Sequence, residues 1–405
     1  MVANLIPQLL DFLLSAFGHG NLAFLGAVRL LTGTKAAEKL YRDAGETACL
    51  DIALRGLLAS LFKEDLGLAN VAAGSSGGAI LHCLLSRLAD LSLKNVTLIY
   101  NPIAGRRPKR REKQARQAAR VLEASGMTVK LSPTSGPSEA TSLARAAVTE
   151  RCDLVLVCGG DGTVNEVING LVPGNTPLGI LPGGTANIIA KELRLPHHPV
   201  RAAKDLARWT PRRIGVGMAT WTHPVEASTP ADAARGTPHH RYFMSVAGIG
   251  FDAYVVYRLS TTFKLSLGVA AYIIEAVRQA WRYSFPAFSC QAGGRHMEGT
   301  FAVAQRSSHY AGWLPLAPKA SILRDTFSLC VFKSHNRLRY FLYAASVLAR
   351  QHLRLKDVEL VEDKAIDCEG VNPAKPIYFE LDGELVGQLP ARFEVIPDAL
   401  TLLAP

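Results

Sequence analysis

The sequence predicts an α/β protein: a parallel-sheet domain followed by a mostly antiparallel β-rich domain, with a helical extension ahead of both. Three observations carry this. From Asn95 to Leu193, short apolar runs alternate with helical stretches, and the runs are too continuously apolar for a sheet with one wet face. After about Ile214 strand-like runs dominate, separated by turn signals. Before Asn95 the chain is Leu- and Ala-rich, with Ile52, Leu54, Leu57, Leu58, Leu61 and Phe62 at helical spacing. The 405 residues suffice for two or three domains. The boundaries fall at 1–93, 94–214 and 215–405, with the C-terminal end returning to the middle domain.

Taken in order, NVTLIY is a strand ending in the turn Asn101-Pro102-Ile103-Ala104-Gly105, and Arg106 to Glu123 is a basic helix. MTVKLSPT is a second strand, and SEATSLARAAVTE a helix opened by Ser138. DLVLVC and TVNEVINGL form the third strand and helix, PLGILP and TANIIAKEL the fourth. RYFMSVAGIGF, FPAFSCQAG, GTFAVAQ, FSLCVFK, VELVED, PIYFELDGE and ARFEVIP read as strands, with helices at Leu265–Trp281 and Arg337–His352. Residues 222–241, rich in Pro, Ala and small polar residues, read as an inserted loop.

Charge narrows the function classes. The net charge is +11, which favours a phosphate-rich partner. Residues 94–120 hold nine Lys and Arg against Glu112 alone, so the excess is local, beside the first turn. No aromatics interleave these charges, which argues against nucleic acid. The seven Cys are scattered, without C-x-x-C, which argues against a disulfide framework or zinc site and fits a cytoplasmic protein. No stretch reaches about 18 uninterrupted apolar residues, so a membrane is expected to be touched at its surface rather than crossed.

The strongest local signal is LVLVCGGDGTVNEVING, 154–170. A buried strand runs through Gly159-Gly160-Asp161-Gly162 into a helix. Glycines allow a sharp turn and close approach, and helix-start N–H groups with the helix dipole favour an anion. LGILPGGTAN, 178–187, repeats the arrangement one βα unit later, and the Asn101–Gly105 turn lies at the same edge. Ligands bind at such edges. A turn without a ligand stays open for each. None is G-x-x-x-x-G-K-[ST]. Asp382-Gly383 between apolar runs is a hairpin signal.

NPIAG, GGDGTVNEVINGL, PGGTAN, GIGFDA, APKASILRDTF and LDGE, in that order, resemble the diacylglycerol kinase catalytic-domain family of lipid kinases, to which sphingosine kinases are related. The resemblance runs from Asn95 to the C-terminus. It implies a nucleotide-binding parallel-sheet domain followed by a β-rich lipid domain, with ATP and Mg²⁺ as cofactors and a lipid alcohol as acceptor. It implies that Asn101, Thr134, Gly160, Asp161, Gly162, Thr163, Gly183, Thr185 and Asn187 line the ATP site, with Asp161 also catalytic, an acid that could hold a metal or orient water. Asp382 would be the general base, with Glu384 in the nucleotide–magnesium network. Asp252 would face the acceptor, and Asp325, with the carbonyls of Ile322 and Phe327, would hold a metal. The family's Asp-Gly is here Asp325-Thr326. By residue pattern alone, Asp252 reads equally as a turn or cap residue.

The expected setting is the cytoplasmic face of a membrane, contacted transiently, with a second copy of the chain kept open as partner. NAD kinase, which shares GGDGT, and a non-catalytic lipid-binding protein are the alternatives. Gly74-Ser75-Ser76-Gly77-Gly78 reads as a joint between helices rather than a nucleophile elbow, and His197-His198 and His239-His240 as solvated loop residues.

Overall fold

The computed structural model describes residues 93–103, 108–224, 238–258, 269–310, 314 and 316–405. The expected N-terminal helices with their Gly/Ser joint, Ala104 to Arg107, and most of the inserted loop lie outside the described residues. Leu93–Pro405 forms one unit.

Strands β1 (Asn95–Tyr100), β2 (Thr128–Pro133), β3 (Leu154–Gly159) and β4 (Leu178–Pro182) pair in parallel in the order β2-β1-β3-β4. Every residue of β3 and β4 is buried, which explains their unbroken apolar texture. Helices α1 (Pro108–Glu123), α2 (Glu139–Thr149), α3 (Asp161–Leu171), α4 (Ile188–Glu192) and α5 (Pro199–Asp205) make the crossovers and cover the sheet. Proline at the first position of α1 loses no hydrogen bond there. Ser138 does not cap α2 through its side chain. Its φ is 63°, and Glu139 instead reaches back to the N–H groups of Ser135 and Gly136.

The β-rich part adds β5 (Thr210–Pro224), β6 (His239–Phe243), β7 (Val246–Gly250), β8 (Phe288–Ala292), β9 (Arg295–Gly299), β10 (Phe301–Gln305), β11 (Phe327–Phe332), β12 (Val358–Asp363), β13 (Ala365–Gly370), β14 (Tyr378–Leu381) and β15 (Glu384–Ala404). Helices α6 (Phe251–Arg258), α7 (Val269–Ala280) and α8 (Arg337–Leu348) accompany them. Their pairings are antiparallel, apart from one: β15 meets β4 in parallel at Leu402 and Leu178. One continuous sheet results, in the order β12-β11-β10-β7-β14-β15-β4-β3-β1-β2. Leu400, Leu402 and Leu403 complete the core of the parallel part, so the end of the chain closes the middle of the molecule.

One difference from the sequence reading and one agreement bear on the site. The run RYFMSVAGIGF is not one strand: it breaks at Met244-Ser245 between β6 and β7, and Phe251 already starts α6. The hairpin at Asp382-Gly383 has φ of 50° and 86°, both positive, as a two-residue turn of the primed type requires.

Helices α2 and α3 pack so closely that a Cβ on Gly170 would lie 2.5 Å from the Thr141 carbonyl oxygen and 2.6 Å from the Ala144 Cβ. Backbone on one side leaves little room to give. Gly170→Ala is expected to cost about 1–3 kcal/mol, seen in a thermal melt as a drop of roughly 2–4 °C per kcal/mol. An unchanged Tm would mean that the two helices are free to separate.

Candidate active site

The site lies where β1, β3 and β4 end. Gly160 is the N-cap of α3, whose first turn is Asp161-Gly162-Thr163. The N–H groups of a helix's first turn lack intrahelical partners and, with the dipole, attract an anion. The neighbouring turn is locked onto this one. Gly183 N–H donates to the Gly159 carbonyl at 2.8 Å. A Cβ on Gly184 would strike the Cα of Gly160. Asn187 closes its own turn, accepting from Gly184 N–H at 2.8 Å and donating to the Gly184 carbonyl at 3.1 Å. Its φ of 48° is in the left-handed region, which asparagine tolerates.

Asp161 does not point outward as a free acid. Its Oδ1 accepts from Ile188 N–H at 2.6 Å, fastening the two turns together. Burial pushes its carboxyl above the usual range, and the nearby Asp382 charge adds to that. Asn101 Nδ2 reaches Thr163 Oγ1 at 3.5 Å, bringing the first turn to the third. Thr134 is buried and donates its N–H to the Tyr100 carbonyl at 2.9 Å. Thr185 is exposed at the rim.

Three basic residues gain definition here. Arg111, on α1, aims its guanidinium at Gly183, where a Cβ would be 3.0 Å from its Nη1. Its Nη1 donates to Gln114 Oε1 at 2.8 Å, and its Nε is buried without a partner. Arg241, on β6, is ion-paired with Glu384. Arg306, beyond β10, is fully buried. Sequence pattern marks the first only as one of many charges, and the other two not at all.

The two acids of the hairpin have different surroundings. Asp382 Oδ1 accepts from Ser245 N–H at 2.8 Å and Val246 N–H at 2.9 Å. Its Oδ2 accepts from Met244 N–H at 2.8 Å and from Asn165 Nδ2. A carboxylate has about four lone-pair sites, and all are filled. Burial raises its pKa, while the three backbone N–H groups and Asn165 work the other way. A general base needs a lone pair facing its substrate. In this arrangement the Asp382 carboxylate holds the hairpin against α3 and the β6–β7 break. Glu384 is 42% exposed in its side chain and pairs with Arg241. Its Oε1 lies 3.3 Å from where a Gly162 Cβ would stand. It borders a groove of about 920 Å³ lined also by Ser138, Thr141, Asn169, Trp221 and Arg241.

Asp252 lies beside Glu380, whose carboxylate accepts from the Gly383 N–H of the hairpin. It is buried in the first turn of α6, accepts from the Tyr310 hydroxyl at 2.7 Å, and packs with Glu380 against Gly248. The carboxylate of Asp325 packs on Gly215. The Ile322 carbonyl accepts from Arg306 Nη2 at 3.0 Å. Phe327 opens β11 with its ring stacked on Phe243 at 5.7 Å.

A magnesium ion carried on nucleotide phosphates needs only one or two protein carboxylates, and Glu384 beside Gly162 offers one; that position fits. The Asp325 position does not. Of the two carbonyls expected to face a metal there, that of Ile322 already accepts from the Arg306 guanidinium.

Two family descriptions match the chain: diacylglycerol kinase catalytic domain over residues 95–219, and YegS C-terminal NAD kinase beta sandwich-like domain over residues 245–404. The chain is 28% identical over 307 residues to a diacylglycerol kinase of Bacillus subtilis (strain 168), spanning 74% of this chain and 93% of that protein. It is 27% identical over 315 residues to a diacylglycerol kinase of Mycobacterium tuberculosis, spanning 76% and 95%. A crystal structure of a diacylglycerol kinase from Bacillus anthracis superposes with a TM-score of 0.55 at 20% identity, covering 78% of this chain and 98% of that one. A second structure from that organism, described as a candidate diacylglycerol kinase, gives 0.61 at 22% identity, covering 77% and 95%. At such identities the structures speak for the fold.

The contact between the two glycine turns generates a test. Gly184→Ala forces backbone against backbone at Gly160 and must part the turns. Fluorescent-nucleotide titration is expected to show at least a tenfold loss of affinity, with circular dichroism unchanged. Wild-type affinity would remove these turns from the binding site.

Proposed function

We propose, from the premise that the chain belongs to the diacylglycerol kinase catalytic-domain family, that it transfers the γ-phosphate of ATP to a hydroxyl of diacylglycerol or a similar lipid alcohol. The observation that carries this is Glu384, an open carboxylate beside the anion-binding turn of Gly160–Thr163.

Phosphoryl transfer depends on positioning and charge neutralisation more than on covalent chemistry. The first-turn N–H groups of α3 and the Arg111 guanidinium supply fixed positive potential for the phosphates. Asp161 keeps the two turns at one spacing. Glu384 takes the proton of the acceptor hydroxyl, with Arg241 holding its other oxygen and so its direction. Magnesium would arrive with the nucleotide, with Glu384 as its nearest protein carboxylate, and would supply neutralisation of the phosphate charge. Asp252 and Tyr310, behind the hairpin, are assigned to the acceptor side.

A lipid acceptor requires a membrane surface. No helix among the described residues is long and apolar enough to cross one. On α7 and α8, Ile274, Val277, Leu338 and Leu342 are exposed, and Trp281 just beyond α7 is exposed beside Phe341 at 5.4 Å. Arg278, Arg282 and Arg337 flank them, exposed. Apolar side chains with a basic rim suit the boundary of an anionic bilayer.

The reaction is tested with labelled ATP and a panel of diacylglycerol, sphingosine, ceramide, phosphatidylglycerol and NAD in mixed micelles. Label in a lipid alcohol is expected. Label in NAD alone would replace the reading with NAD kinase, whose sandwich the C-terminal description names, and lipid binding without transfer would replace it with a binding protein. In the same assay Glu384→Gln is expected to lower kcat by about 10²–10⁴ with Tm and nucleotide affinity kept, whereas Asp382→Asn lowers Tm first. The reverse pattern would return the base to Asp382. Trp281→Ser is expected to weaken flotation with phosphatidylglycerol vesicles while micellar kcat stays unchanged; undiminished flotation would place the membrane contact elsewhere.

A further inference from the structure

Arg306 has a relative exposure of 0%, and no step of the proposed transfer uses it. Its backbone N–H donates to the Ser245 carbonyl at 2.8 Å. Its Nη2 donates to the carbonyls of Ile322 at 3.0 Å and Arg324 at 3.2 Å. Nε and Nη1 make no hydrogen bond. The charges that favour its protonated form are those of Asp325 and Asp382, so its tie to them is through the field. Burial brings its pKa down to about 10, which leaves it charged at neutral pH.

A carboxylate and two carbonyl oxygens of one turn are the partners of a bound cation. The cation present is covalently part of the chain. We infer that Arg306 is the resident cation of the 322–325 turn, its guanidinium on the carbonyls of Ile322 and Arg324 taking the place of a divalent metal at Asp325. Ser245 stands between Arg306 and Asp382: its carbonyl accepts from the Arg306 backbone N–H, and its own N–H donates to Asp382. A guanidinium suits this role, since its planar donors are directed and it is weakly hydrated. A metal at the same place would put a second positive centre against it. The turn is then held at any metal concentration, and the metal requirement of the reaction is left to the nucleotide. This goes beyond the proposed transfer and stands whichever acceptor is used.

The test uses the nucleotide-free full chain with four forms: wild type, Asp325→Asn, Arg306→Met and the double variant. Manganese binding, followed by the free-ion paramagnetic resonance signal, is expected to give the same isotherm for wild type and Asp325→Asn. A manganese ion bound by wild type and lost in Asp325→Asn overturns the inference. Thermal melts are expected to show Arg306→Met several degrees below wild type, and the loss caused by Asp325→Asn reduced at least by half when made on Arg306→Met. Additive losses overturn the inference. Should Arg306→Met fail to fold, the manganese comparison decides alone.

Discussion

The geometry of the site rests on the carboxylate of Asp382. It stands at a hairpin tip with φ of 50° and takes hydrogen bonds from three successive backbone N–H groups and from Asn165 on α3. A buried carboxylate costs several kcal/mol unless its acceptor sites are met. Here the donors come from two elements far apart in the chain, so the cost is offset only when α3, the β6–β7 break and the C-terminal hairpin are together. Met244, Ser245 and Val246 turn their N–H groups away from a strand ladder, and the strand breaks there. The same contact carries Glu384, two residues on, over Gly162.

That dependence explains what the sequence could show. The glycine turns were legible because their requirement is local: backbone at Gly160 and Gly184 in contact admits no side chain. The Asp382-Gly383 hairpin was legible for the same reason, since two positive φ values call for such residues. The break after Phe243 was not, because its cause lies 138 residues away and apolar residues continue across it. Strands β9 and β13 leave little trace in the pattern, since RHMEG and AIDCEG carry charge on their outward faces and lack apolar runs. The roles of the two hairpin acids were not separable by pattern, because both follow one β-turn signal. Only the count of filled lone pairs distinguishes them.

The arginines show the same limit from the side of charge. The basic run beside the first turn accounted for most of the net charge of +11, yet Arg111, whose guanidinium faces the Gly183 turn, is only one of its nine cations. Arg241 and Arg306 lie outside any charge run, the first paired with Glu384 and the second buried on the carbonyls of Ile322 and Arg324. Clustered surface charge is screened within about 10 Å at ordinary ionic strength. A single buried or half-buried guanidinium is screened far less, so these two shape the local potential more than the conspicuous run does.

The arrangement is therefore a balance of fixed charges rather than a basic patch. Asp161 and Asp382 lie near enough to raise each other's cost of ionisation, and each is spent on backbone N–H groups. Arg111 stands at one turn, Arg241 on the open acid, Arg306 behind the hairpin. In the proposed transfer a polyphosphate would meet N–H groups and one guanidinium whose directions the fold already sets, so little reorganisation would accompany its binding. The two structural acids are occupied, and Glu384 keeps an oxygen facing the phosphate turn. One rule separates the acids: carboxylates saturated by backbone donors hold the frame, and the carboxylate held by a side chain alone is the one the proposed transfer uses.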